Sequence, residues 1–196
     1  MTKPYTELWV IDNLFSQAEC TDLINRANQL QTDAKGNKSW HQPGTGGKYS
    51  RVIMIDPELT NVIWARIEPY LPKELELNGY KLLYLNSHFR FSRYRKDGIF
   101  PIHCDGKNYD NSRPDLTGGY SAESLLTLNI FLNSEEDYDL VGGGTSFFDE
   151  GLRLGLTIKA QAGTAALFWA DQYHRGDLVG EGFKYLLRTD VMAMRS

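Results

Sequence analysis

The stretch Phe89-Arg90-Phe91-Ser92-Arg93-Tyr94-Arg95, then Asp97-Gly98, then Pro101-Ile102-His103-Cys104-Asp105, holds two candidate strands and the turn between them. Aromatic and polar residues alternate in the first segment, as in a strand with one covered face. Asp-Gly is a tight-turn signal. In the second segment His103 and Asp105 stand two positions apart, so an extended chain sends both side chains to one side.

Downstream, further candidate strands span 125–132, 145–148, 152–159, 164–169 and 185–194, with turn signals at Gly142-Gly143-Gly144 and Ala162-Gly163. Short strands at this spacing point to a sandwich or barrel of the jelly-roll type. Upstream the pattern is largely helical. After a short strand over 8–11, Ser16 caps a helix over 17–30 with the stripe Leu23, Ile24, Ala27 and Leu30. A strand over 51–55 leads to Pro57, which opens a second helix whose expected buried face is Val62, Ile63, Ile67 and Leu71, ended by Pro72. The expectation is one domain over 1–196, mainly β with flanking helices. Residues 1–80 form its helical support and 81–196 its core.

Composition agrees with a globular domain: 196 residues, 41% hydrophobic, 23% charged, net charge −4. Without a Lys/Arg run, a phosphate-backbone footprint is missing and nucleic acid is not an expected partner. Two cysteines, Cys20 and Cys104, make no disulfide framework and fit a reducing compartment. Met1 to Trp9 includes Lys3, Pro4 and Glu7 and has no apolar core, and no run reaches transmembrane length. The expectation is a cytoplasmic protein with no signal peptide and no membrane partner.

An H-x-D triplet alone is common. A third ligand would complete a 2-His-1-carboxylate facial triad, the set that leaves iron(II) three adjacent positions for O2 and a co-substrate. His174, after the apolar run 165–169 and a short turn, is the best candidate. His41 lies in a glycine-rich loop, and His88 lacks an acid at matching spacing. Two cations strengthen the reading. Lys184 and Arg188 are four apart in the last strand, hence on one face, and their neighbours Tyr185-Leu186-Leu187 and Val191-Met192-Ala193 are apolar. Inward cations are costly unless an anion meets them. A dicarboxylate such as 2-oxoglutarate would do so, its keto-acid end on the metal and its far carboxylate on Lys184 or Arg188.

These segments resemble the 2-oxoglutarate/Fe(II)-dependent oxygenases of the prolyl 4-hydroxylase-like group. The matching motifs are Phe89 to Tyr94 with Gly98 and His103-Cys104-Asp105-Gly106; Leu126-Thr127-Leu128-Asn129-Ile130-Phe131-Leu132-Asn133 with Gly143-Gly144-Thr145-Ser146-Phe147; Gly163 through Phe168; and His174 to Asp190. They run in the family's order over about half of the chain. The resemblance implies a double-stranded β-helix, a distorted jelly roll with helices outside one sheet. It implies iron ligands at His103, Asp105 and His174, a co-substrate anchor at Lys184, and a 2-oxoglutarate contact at Tyr94. Thr127, Asn129 and Phe131 share a strand face expected to line the pocket. Arg188 is a second carboxylate contact or a partner of Asp190 or another acid. The implied reaction is hydroxylation of a C–H bond with O2, releasing succinate and CO2, with ascorbate in support.

Two features depart from the family pattern. The anchor is Lys rather than Arg, which suits its prolyl hydroxylase end. The segment 107–123 is long for its place, which counts against proline as the substrate. The loops 33–50 and 107–123 are the expected substrate loops, through Trp40, His41, Tyr49, Tyr109, Arg113 and Tyr120. A peptidyl side chain, a free amino acid or another small molecule all fit. Two rivals stand beside this reading: a cupin-like metal enzyme needing no keto acid, and a non-catalytic binding domain. In the first Lys184 has no role; the second does not need the intact His103, Asp105 and His174.

Overall fold

The computed structural model describes residues 8–32, 34–42, 48–71, 79–135, 137 and 139–195. Among the described residues, two helices lie in the N-terminal part. Helix α1 (Gln17–Gln29) starts at a capping box: Ser16 Oγ accepts from the Glu19 N–H, and the Glu19 carboxylate accepts from the Ser16 N–H. It buries Cys20, Leu23, Ile24 and Ala27. Helix α2 (Pro57–Ile67) is capped by Asp56 and buries Leu59, Ile63 and Ile67. The expected face is thereby corrected. Val62 is 43% exposed, because a stripe at i, i+4 and i+8 from Leu59 leaves position 62 one step round the helix. A 3-10 turn, Glu68–Tyr70, follows α2 and leaves Leu71 half-buried. Pro72 lies outside the described residues.

Fourteen strands are found among the described residues. They are β1 (Leu8–Ile11), β2 (Tyr49–Ile55), β3 (Tyr80–Leu85), β4 (His88–Arg95), β5 (Phe100–His103), β6 (Tyr109–Asp110), β7 (Ala122–Phe131), β8 (Val141–Gly142), β9 (Thr145–Phe148), β10 (Leu154–Ile158), β11 (Ala165–Trp169), β12 (His174–Gly176), β13 (Val179–Glu181) and β14 (Phe183–Arg195). The large sheet runs β1-β11-β7-β14-β4-β2, with β3 on β14 and β6 on β7. The small sheet runs β10-β9-β12-β5, and β13 pairs with β8. Every pairing is antiparallel. The result is a distorted jelly roll.

Alternation along β14 divides the molecule. Tyr185, Leu187 and Val191 join the cluster that holds the α1 and α2 side chains. Leu186 joins a second cluster with Phe131, Ala166, Phe168 and Phe147, which fills the space between the sheets. Lys184 and Arg188, in phase with Leu186, therefore face the small sheet. The sheet does not respect the division at residue 80. Strands β1 and β2 are hydrogen-bonded to β11 and β4.

The strand expected over 152–159 starts later, because Leu152 sits at φ 56° in the turn closed by its N–H on the Asp149 carbonyl. The short strands β6, β8, β12 and β13 were not foreseen. Two or three residues carry no period to read, and their pairing is made by distant segments. Among the described residues no helix is long and apolar enough to cross a membrane.

Candidate metal centre

The site sits where the small sheet faces β7 and β14. Strand β12 lies between β9 and β5, and its register sets His174 opposite His103, with ring centroids 4.2 Å apart. The strand expected to reach Asp105 ends at His103. Tertiary contacts, not the strand period, hold the carboxylate in place: Thr127 Oγ1 donates to Asp105 Oδ2 at 2.8 Å, and the Arg188 guanidinium lies 2.9 Å from Oδ1. The Nε2 atoms of His103 and His174 are 3.5 and 3.7 Å from the Asp105 oxygens, and the three ligand atoms all lie within 4.8 Å of one another.

Both imidazoles are held in one tautomer. Nδ1 of His103 meets the Pro101 carbonyl at 2.9 Å, and Nδ1 of His174 meets the Gln172 carbonyl at 2.9 Å. A carbonyl only accepts, so each Nδ1 carries the proton and each Nε2 lone pair is left for a metal. Electrostatics favour the same state. Burial pushes the His174 imidazole down to about 4, against the pull of the Asp105 carboxylate. Burial also raises the Asp105 carboxyl. Contact with His103, the Arg188 charge, His174 and the Thr127 hydrogen bond outweigh it and hold the group well below the usual carboxylate range. Two imidazoles with their Nε2 lone pairs turned to the site and one carboxylate form a donor set that suits a divalent transition metal.

Around these ligands lies a cavity lined also by Tyr94, Asn129, Thr145 and Lys184. Lys184 is 1% exposed. Its ammonium donates to the Gly144 carbonyl at 3.0 Å and lies 5.4 and 5.3 Å from the Tyr94 and Phe131 ring centroids. It makes no ion pair among the described residues. Burial pushes it down to about 7, with Asp177 opposing. Asn129 Oδ1, Thr145 Oγ1 and Arg188 Nε are buried in the same wall without hydrogen-bond partners. Buried polar atoms are normally satisfied. Unsatisfied atoms lining a cavity that also holds this ammonium fit a polar, anionic guest.

The two loops expected to hold the substrate behave differently. Trp40 packs on the opposite face of the large sheet: its Nε1 donates to Asn28 Oδ1 at 3.0 Å, and its ring meets Arg93 and Tyr185. His41 bridges Arg51 through the backbone. Tyr49 is buried and stacks on Tyr94 at 5.1 Å, forming part of the packing behind the cavity. In the segment 107–123, β6 pairs back onto β7, and a helical turn, α3 (Pro114–Thr117), follows. Tyr109 and Tyr120, 68% and 75% exposed, flank a separate surface groove with Lys107 and Arg195. Arg113 pairs with Asp115 at 2.9 Å. Neither Trp40, Tyr109, Arg113 nor Tyr120 lines the cavity.

Sequence reading passed over Arg51, Arg90 and Thr145, which do line it. Arg90 has a local signal: it shares the period-two face of Ser92 and of Tyr94, the expected 2-oxoglutarate contact. Arg51 carried no local signal, since it arrives through the pairing of β2 with β4.

No protein-family model matches the chain, and no curated protein matches it by sequence. Solved structures do match by shape. The viral collagen prolyl hydroxylase of Paramecium Bursaria Chlorella virus-1, in its 2OG complex, superposes with a TM-score of 0.64 at 21% identity, covering 96% of each chain. The chain has the prolyl hydroxylase fold. A Pseudomonas putida prolyl-4-hydroxylase shares this fold at TM-score 0.62 and 14% identity, over 97% of this chain and 94% of that one. A Trichoplax adhaerens prolyl hydroxylase, solved with a hypoxia inducible factor oxygen degradation domain peptide fragment, does so at TM-score 0.63 and 13% identity, over 94% and 83%. In this chain the prolyl hydroxylase fold carries the His103, Asp105 and His174 cluster between its two sheets.

Proposed function

We propose that this chain is an Fe(II)- and 2-oxoglutarate-dependent dioxygenase that hydroxylates an unactivated C–H bond of an amino-acid, peptidyl or other small-molecule substrate. The observation that carries the reading is a buried lysine with no carboxylate partner among the described residues, in the same cavity as a His-Asp-His set. Iron with 2-oxoglutarate supplies the oxidising chemistry: O2 and the keto acid become succinate and CO2, and the substrate C–H gains one oxygen atom.

The chain's own groups have assigned tasks. His103, Asp105 and His174 hold the metal through Nε2 and carboxylate oxygens. Pro101 and Gln172 carbonyls fix the imidazole orientation. Lys184 meets the far carboxylate of the co-substrate, with Tyr94 next to it and Thr145 and Asn129 lining the same cavity. The viral neighbour's 2OG complex and the Trichoplax neighbour's peptide complex support the co-substrate and a peptidyl or amino-acid substrate, respectively. The two free cysteines fit a reducing, cytoplasmic setting. A metal enzyme without a keto acid would leave Lys184 buried to no purpose, and a non-catalytic domain has no need of two imidazoles held in one tautomer.

The test is succinate formation from 2-oxoglutarate with iron(II) and ascorbate, alongside metal binding by the same samples. The expected result is succinate release by the wild type, with stoichiometric iron or zinc. In His174→Ala, metal affinity should fall at least about 100-fold. Metal binding without any 2-oxoglutarate binding or turnover would sink the dioxygenase reading and favour the keto-acid-free enzyme.

A further inference from the structure

The cavity carries more positive charge than the metal and co-substrate use. Arg51, Arg90 and Arg188 come from the neighbouring strands β2, β4 and β14, with Arg90 opposite Arg188 and Arg51 opposite Ser92. All three line the cavity that holds His103 and His174. Lys184 is on the same face of β14 as Arg188 but four residues away, roughly 13 Å along a strand. The arginines and the lysine therefore form two separate basic regions.

Their partners are few. Asp190, 1% exposed, lies 3.0 Å from the Arg90 guanidinium and 3.2 Å from that of Arg188, and also accepts from Asn108 at 3.0 Å. Asp105 meets Arg188. Arg51 has neither carboxylate. Among the described residues its guanidinium makes no ion pair, it lies 5.7 Å from the Tyr49 ring centroid, and its Nε is buried without a hydrogen-bond partner. Arg188 Nε is buried and unpartnered as well.

Charge balance gives these facts a direction. In the loaded site of the proposed dioxygenase, the divalent metal, Asp105, the co-substrate dianion and Lys184 together come to neutrality. Three arginines then remain against Asp190 alone. All three are part-buried, and cations that lose hydration in a cavity are stabilised by a counter-charge. A guanidinium also offers a planar fork that suits a carboxylate.

We propose that Arg51 and Arg188, with Arg90 held beside them by Asp190, receive a carboxylate carried by the primary substrate. The substrate class is then an organic acid, such as a free amino acid, rather than a neutral residue inside a peptide. This rests on the dioxygenase reading and adds a specificity site to it.

The experiment uses the zinc-loaded full chain, which binds without turnover. Calorimetric titration first measures 2-oxoglutarate. With 2-oxoglutarate saturating, it then measures the twenty proteinogenic L-amino acids and simple monocarboxylic acids, each as free acid and as carboxamide. The expected result is at least one free acid that binds at least about tenfold tighter than its amide, as a charge-assisted pair requires. That preference should collapse in Arg51→Met and return in part in Arg51→Lys, which also serves if the methionine variant does not fold by circular dichroism. Equal binding of acids and amides, or no binding by either, overturns the proposal while 2-oxoglutarate binding keeps the dioxygenase reading. An Arg51→Met defect in 2-oxoglutarate affinity as large as that for the acid also overturns it, because the arginines then serve the co-substrate. Absence of 2-oxoglutarate binding in the wild type removes both.

Discussion

Near-complete burial and the Asp177 carboxylate pull the Lys184 proton in opposite directions. Burial dominates and brings the folded-state value down to about 7 from 10.5. Between about pH 7 and pH 10.5 the unfolded chain then holds a proton that the folded chain has lost, so stability rises with pH across that window and is lowest below it. The urea midpoint of metal-free protein should increase from pH 7 to pH 9, and Lys184→Met should flatten that increase. At pH 8, 2-oxoglutarate should restore the charge. Titration in two buffers of different ionisation heat should then show proton uptake that Lys184→Met abolishes. The same variant should lose about 10- to 100-fold in 2-oxoglutarate affinity. It should keep or gain stability without ligand, because an apolar side chain replaces a buried cation.

The elements that frame the cavity depend on a few backbone joints. Gly163, at φ +79°, opens β11, and a Cβ there would lie 1.9 Å from the Phe15 carbonyl oxygen. Its own carbonyl accepts from the Leu14 N–H at 2.9 Å, and its N–H reaches the Phe131 carbonyl at 2.9 Å. One residue thus ties the segment after β1 to the end of β7. Gly163→Ala combines left-handed strain with a backbone collision and should destabilise by about 3 kcal/mol or more, read as a lower urea midpoint with an unchanged slope. Ser16→Ala, which removes only the α1 cap, should cost about 1 kcal/mol. The contrast separates a joint between elements from a local helix end.

Across the whole molecule, the N-terminal part and the β-rich part share one sheet and one core. Residues 81–196 alone would leave β4 without β2 and β11 without β1, and would uncover the apolar face that α1 and α2 bury. Bare edges and an open core favour association. That fragment should bind a hydrophobic dye strongly and unfold without a cooperative transition, whereas the full chain should unfold in one step. A fragment that folds cooperatively by itself would show that the first 80 residues are an accessory. The cavity has the same dependence, since Arg51 comes from β2.

The local patterns in the sequence determined a good deal. Period-two alternation located most long strands and put Lys184 on one face with Arg188. Ser16 and Pro57 marked helix starts, and the H-x-D spacing with His174 picked out the three groups that now lie within 4.8 Å. Those signals are short-range because dihedral preference and side-chain alternation act over a few residues. Tertiary structure alone decided which strands became neighbours. The pairings of β2 with β4 and of β4 with β14 bring Arg51 to the cavity, whereas Trp40 goes to the other face of the same sheet. It also moved Asp105 off its strand and onto Thr127 and Arg188. Register between distant strands and the burial that shifts Lys184 arise only when the whole chain closes on itself, which no window of sequence contains.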